Sequence, residues 1–273
     1  MELSEQQRER FLEVLWGFYA RSARRLPWRE PEPEPDGEFN PYKIMVSELM
    51  LQQTQVPRVV PKYEAFLGRF GSVQSLADAD LGDVLRAWQG LGYNRRAKFL
   101  WAAAQAIVSQ GAFPDTPEGL TALPGIGPNT AGAILAYAFN KPALFIETNV
   151  RTVYIHHFCK GRTDITDSAV RGLLEQTLDR EQPREFYWAL MDYGSHLKAT
   201  VGNPNAASRH YVRQSTFEGS RRQLRGRIIR ELGGGSQTFA NLRISIPDER
   251  LKGVLLDLTR EGLIRAEDGI YTL

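Results

Sequence analysis

Two carboxylates and one glycine turn carry the chemistry that this sequence offers. Residues 123–149 read LPGIGPNTAGAILAYAFNKPALFIETN. In the turn, Gly125 and Gly127 add no side chain and tolerate positive φ, while Pro124 and Pro128 stiffen it. The helix expected from Thr130 would present unpaired backbone N–H groups and a positive dipole end in front of the turn, which suits a phosphate. On the glycines alone, a tight helix–helix turn with no ligand fits equally well. Beyond that helix the apolar run 143–146 delivers Glu147 and Asn149. Glu147 is either a first-turn acid of the next helix or a carboxylate able to stabilise developing positive charge. The second carboxyl, Glu48, lies in PYKIMVSELMLQ one helical turn after Ile44. It reads as a surface acid paired with Lys43 or Arg58, or as a general acid whose pKa burial would raise.

One polar loop follows Glu48 in the sequence, and a second lies at 90–96. Gln52, Gln53, Thr54 and Gln55 crowd donors and acceptors into four positions, and residues 90–96 (GLGYNRR) offer Leu91 and Tyr93 for insertion into a stacked duplex. A solvated loop would read the same way. His156 and His157 occupy adjacent helical positions that do not share a face, so they make no metal site.

The elements that must position these residues are helices. Residues 3–24 form an amphipathic helix with Phe11, Leu12, Leu15, Phe18 and Tyr19 as its apolar stripe. Residues 30–37 (EPEPEPDG) read as a stiff, acidic, extended connector. Further helices are expected over 41–52, 59–70, 81–89, 95–109, 117–122, 130–138, 150–158, 167–178 and 184–192, with Asp80, Thr116 and Asp167 as N-caps. Residues 203–217 read as a junction. Helices at 221–232 and 248–261 follow, and then a hairpin around Asp268-Gly269. That last pattern suggests a small winged-helix module.

Composition narrows the class. A chain of 273 residues with 42% hydrophobic and 24% charged residues is ordinary for a globular protein. No apolar run approaches the roughly 20 residues of a membrane span, and the acid-rich N-terminal helix does not read as a signal peptide, so a cytoplasmic protein is expected. A lone cysteine, Cys159, excludes internal disulfides and multi-cysteine metal sites and reads as a core thiol. Net charge is only +2, yet Arg209, Arg213, Arg221, Arg222, Arg225, Arg227 and Arg230 crowd a stretch whose one acid is Glu218. Such a patch suits nucleic acid, and also suits a solvated helix face.

Taken together, LPW at 26–28, PYKIMVSELMLQQTQV at 41–56, AWQGLGYNRRAKFL at 87–100, LPGIGPNTAGAIL at 123–135, ETNVRTV at 147–153 and MDYGSHL at 191–197 resemble the helix-hairpin-helix DNA glycosylases. The resemblance is strongest to the A/G-specific adenine DNA glycosylases, the MutY family. It covers roughly residues 8–200, and FEGSRRQLRGRII looks like the extension of some members. It implies a mostly α, two-lobed helix-hairpin-helix fold with a DNA cleft, here followed by the winged-helix-like module. The glycosylase domain would span 1–215, with a six-helix lobe about 39–145, a second lobe from 1–28 and 146–215, and the module at 216–273.

The implied activity is hydrolysis of the N-glycosidic bond of an adenine mispaired with 8-oxoguanine or G and flipped from the duplex. By resemblance Glu48 protonates the departing base, Glu147 stands where an aspartate stabilises the sugar oxocarbenium ion, and Asn149 supports it. Gln52, Gln53, Thr54 and Gln55 match the loop that wedges into the duplex, as Leu91 and Tyr93 match its neighbour. Leu123, Gly125, Gly127, Asn129 and Thr130 match the phosphate-gripping hairpin, and Arg209 and Arg213 stand where cluster-loop contacts to DNA would fall. The implied partner is duplex DNA bearing a mispaired or damaged base, and the implied protein is a nucleoid-associated monomer.

Several positions depart from the family. Glu147 is one methylene longer than aspartate. Asn129 replaces the Schiff-base lysine of lyase-type relatives and the tyrosine or serine of many adenine glycosylases, which implies a monofunctional enzyme and leaves room for another target base. Thymine or uracil opposite G, hypoxanthine, or a non-catalytic role in binding DNA structures are the alternatives. Lys198 stands where the first iron–sulfur ligand would fall, and with one cysteine no cluster is expected.

Overall fold

A computed structural model describes residues 1–33, 37–213 and 216–273. In chain order its helices are α1 (Glu5–Ser22), α2 (Pro41–Leu51), α3 (Val56–Arg69), α4 (Val73–Ala77), α5 (Leu81–Ala87), α6 (Arg95–Gln110), α7 (Pro117–Thr121), α8 (Pro128–Phe139), α9 (Thr148–Phe158), α10 (Asp167–Thr177) and α11 (Pro183–Thr200). The C-terminal part adds α12 (Arg221–Gly233), β1 (Gln237–Thr238), α13 (Phe239–Ser245), α14 (Leu251–Arg260), β2 (Arg265–Glu267) and β3 (Ile270–Thr272). None of these helices is long and apolar enough to cross a membrane.

The chain divides into two compact units, one of Met1–Ile44, Asp115–Thr121 and Ile126–Arg213 and the other of Met45–Pro114, Ala122–Gly125 and Gln214–Leu273. In the first, α9 and α11 pack most closely, with α1, α8 and α10 around them. Leu15, Phe145, Tyr154, Phe186 and Tyr187 fill its core. Gly194 makes the α9–α11 contact possible, because a Cβ there would lie 2.6 Å from the backbone oxygen of Asn149. Asp192, two residues before it, ties this layer to the chain after α1: it accepts the Arg24 backbone N–H and Nε and both arms of the Arg29 guanidinium at 2.6–2.9 Å.

In the second unit α3–α6 enclose Phe66, Trp88 and Leu100, and α12 packs on α5. The C-terminal part has the winged-helix order of helix, short strand, two helices and hairpin, with antiparallel strands ordered β1-β3-β2. Asp268 and Gly269 take φ of 48° and 75°, as the turn of a two-residue hairpin requires.

Several expected boundaries move. Helix α3 begins at Val56 rather than 59, because Pro57 in the first turn lacks only an N–H that has no helical partner there. The N-cap of α10 is Thr166, whose hydroxyl accepts from Ala169, while Asp167 is a first-turn acid bound to Arg151. Helix α11 runs to Thr200 instead of stopping at 192, and α14 starts at Leu251 instead of 248. Of the connector at 30–37, residues 34–36 lie outside the described residues, and a backbone bond of 2.8 Å joins Glu32 to Glu38 across them. The junction at 203–217 holds a 3-10 turn at Pro204–Ala207, and residues 214–215 lie outside the description.

Candidate active site and nucleic-acid interface

Glu147 is delivered by a segment fixed on two sides. Phe145 stacks on Tyr187 with centroids 3.9 Å apart, and the Tyr187 hydroxyl donates to the Ala143 carbonyl at 2.6 Å while accepting from the Phe145 N–H. From α8, the Asn129 amide exchanges two hydrogen bonds of 3.3 Å with the backbone of Ile146. Thus Asn129 braces the residue immediately before the acid. Glu147 itself is the N-cap of α9 in extended backbone, and its side chain takes no capping bond from that helix. Its carboxyl stands at the positive end of α9, where an anion is favoured. Burial nevertheless raises its pKa, and the Lys198 charge opposes that rise.

Asn149, in the first turn of α9, bridges to α11. Its amide donates to the Met191 carbonyl at 3.1 Å and its oxygen accepts from Lys198 Nζ at 2.7 Å. Lys198 is pushed down by burial and by Arg151 and lifted by Glu147. Arg151 is itself forked onto Asp167 at 2.7 and 2.9 Å.

In the other unit Glu48 is 9% exposed on α2, on the inner side where the position after Ile44 placed it. At the end of α2 the loop 52–55 leaves Gln53 and Gln55 exposed. Sequence reading missed the group that holds this loop, Arg96. From α6 its guanidinium donates to the carbonyls of Leu49, Met50, Gln52, Leu91 and Gly92 and to the Thr54 hydroxyl, at 2.6–3.2 Å. It lies over the rings of Trp88 and Tyr93, and burial pushes its pKa down to about 10. One buried fork therefore fixes both polar loops. Leu91 is only 3% exposed and belongs to the core, whereas Tyr93 is 37% exposed. Gln53 and Tyr93 take φ of 56° and 48°, in the left-handed region that side chains other than Asn and Asp seldom adopt.

In the glycine turn, Gly125 has φ of 76°, and a Cβ there would sit 2.5 Å from Phe99 Cβ, so both the conformation and the space require glycine. Leu123 and Ile126 are buried anchors. Gly127 is the N-cap of α8 with no side-chain cap, Pro128 follows at the first helical position, and Thr130 lies half-buried in the first turn.

The arginine run divides into two kinds. Arg221 pairs with Asp257, Arg225 forks onto Glu261, and Arg227 donates to the Ser245 carbonyl, so these hold the C-terminal helices together. Arg222 donates to the Tyr93 hydroxyl at 2.5 Å. Arg209 pairs with Asp164 on an open surface, and Arg213 is exposed.

With one cysteine, the sequence lacks the set of thiolates that an iron–sulfur cluster takes. Where the resemblance puts its first ligand, the Lys198 ammonium is engaged by Asn149, and Cys159, the chain's one cysteine, is buried at the C-cap of α9. Residues 207–209 are fastened instead by backbone bonds to Ile165.

Known proteins share sequence and fold with this chain. Residues 46–179 match the HhH-GPD superfamily base excision DNA repair protein family. An adenine DNA glycosylase of Mycobacterium tuberculosis is 35% identical over 95% of this chain and 92% of its own length. Those of Buchnera aphidicola and Homo sapiens are 32% and 36% identical over 76% and 70% of this chain, which spans 60% and 35% of their lengths. Among solved structures, a thermostable thymine-DNA glycosylase (TM-score 0.61, 22% identity, 70% of this chain and 87% of that one) and an endonuclease III–DNA covalent intermediate (0.60, 18%, 71% and 88%) share the fold. The chain belongs to the adenine DNA glycosylase family of the HhH-GPD base excision repair superfamily.

Proposed function

We propose that the chain excises adenine mispaired with 8-oxoguanine or G in duplex DNA, as a monomer and without strand cleavage. Glu48 gives a proton to a ring nitrogen of the flipped adenine. The C1′–N9 bond then breaks with its electron pair leaving on the base, and Glu147 stabilises the oxocarbenium ion until water adds at C1′ and loses a proton. One carboxyl must start protonated and the other ionised, which needs two different surroundings. The observation that carries the reading is Glu147, uncapped at the N-terminus of α9 with Asn149 beside it. Gln53 and Tyr93, both held at positive φ by their loops, are the residues we assign to entering the duplex. The first-turn N–H groups of α8 grip a phosphate. Asn129, whose amide is spent on Ile146, supplies no amine for a Schiff base.

The test is single-turnover excision from duplexes carrying A, T, U or hypoxanthine opposite G and 8-oxoguanine, read before and after alkali. Release of A visible only after alkali is expected, and Glu48→Gln should lose at least ~100-fold in rate while still binding DNA. Activity confined to T, U or hypoxanthine would move the target base. Strand scission before alkali would overturn the monofunctional assignment.

A further inference from the structure

We propose that Lys198 is a positioning residue for Glu147, holding the side-chain oxygen of Asn149, which lies two residues further along the chain. The proposal rests on the functional reading above. Its geometry is specific. Asn149 is caught at both ends of its amide, donating to Met191 and accepting from Lys198, so its flip state is fixed by two partners on one helix. Gly194 lies between those partners on α11 and lets the Asn149 backbone sit against the helix. With an apolar side chain at 198, Asn149 would keep one bond of the two.

The charge has a separate role. The mechanism needs Glu147 ionised, yet burial favours its neutral form. Around it, Tyr187 from α11 is neutral and itself raised by burial, and Arg151, one turn along α9, is committed to Asp167. Among the described residues, the Lys198 charge is the one that opposes the rise in the Glu147 pKa. The sign follows. Removing the ammonium leaves burial unopposed, so the pH below which Glu147 is protonated moves up, and with it the acid limb of the excision profile. The same residue thus stands at the first cluster-ligand position of the resembled family and serves the site instead.

The experiment compares wild type with Lys198→Met, Lys198→Arg and Glu147→Gln. The first readout is single-turnover excision of A opposite 8-oxoguanine across pH. Lys198→Met should move the acid limb up by about one unit, a tenfold lower rate below the limb, and Lys198→Arg should return it toward wild type. Glu147→Gln tests the reading beneath: if it excises normally, the role of Glu147 fails and the proposal goes with it. The second readout needs no activity. Carboxyl ¹³C titration of labelled glutamate, with Glu147 assigned by its loss in Glu147→Gln, should give a higher midpoint in Lys198→Met than in wild type. An unchanged midpoint, in a variant whose thermal melt shows it folded, overturns the proposal.

Discussion

At the scale of single residues, Arg96 shows how one buried cation can set two loops at once. Its neighbours are carbonyl oxygens and one hydroxyl rather than a carboxylate. Losing it strands several acceptors that have little access to water, and each buried unsatisfied group costs about 1–3 kcal/mol. Arg96→Met should therefore lower stability by roughly 2–4 kcal/mol, read by thermal or urea unfolding. Hydrogen exchange should speed up at residues 52–55 and 91–94 and stay slow in α9–α11. Unchanged exchange in the two loops would show that they hold their shape without the fork. Sequence reading finds the loops but not Arg96, because GYNRRAK presents two adjacent arginines as ordinary helix-surface charge, and nothing in spacing tells which one turns inward. The two acids are easier. The buried placement of Glu48 is legible from the apolar positions around it, and that of Glu147 at a helix start from the apolar run before it.

At the scale of elements, the α1–α9–α11 layer contains a pH-sensitive joint. His157 on α9 touches the Phe11 ring at 5.2 Å, and its Nε2 shares a 3.0 Å hydrogen bond with the Tyr193 hydroxyl. Burial, helped by His156, pushes its pKa down from 6.5 to about 4. The unfolded chain therefore binds a proton between pH 6.5 and 4 that the folded chain refuses. Stability is full above the unfolded value and declines as pH falls through that window. His157→Phe should flatten the drop in Tm between pH 6.5 and 4.5, and a slope as steep as wild type would assign the loss to other groups. The same layer marks the limit of periodicity. The long helices α6, α8 and α10 repeat apolar residues over several turns and are read to within a few residues. Helices α4 and α13, of 5 and 7 residues, are too short to show a period. In α11 the pair Asp192 and Gly194 looks like a stop. The helix continues because Arg24 and Arg29 neutralise the one and α9 packs against the other.

At the scale of the whole molecule, the question is which positive charges are available to a polyanion. Formal charge counts Arg209, Arg213 and the arginines of α12 alike, but their environments differ. The Arg225 side chain is 19% exposed and forked onto Glu261, which leaves it committed inside its own unit. Arg209 is 56% exposed and its pair with Asp164 lies in open solvent. Exposed pairs are worth about 0–1 kcal/mol, so a phosphate can replace Asp164 at small cost, whereas withdrawing Arg225 would leave Glu261 with Arg95 at 3.9 Å and the α12–α14 contact with Arg221–Asp257. Each arginine–phosphate contact contributes about 0.9 to the slope of log affinity against log salt. Arg209→Gln with Arg213→Gln should accordingly reduce the slope by about 1–2, with little change in Tm. Arg225→Gln should do the reverse, lowering Tm and leaving the slope alone. A double variant at 209 and 213 with the wild-type slope would place that stretch away from DNA. A reduced slope in Arg225→Gln would mean that the fork to Glu261 opens when DNA binds, and that the C-terminal helices give up an internal contact to hold it.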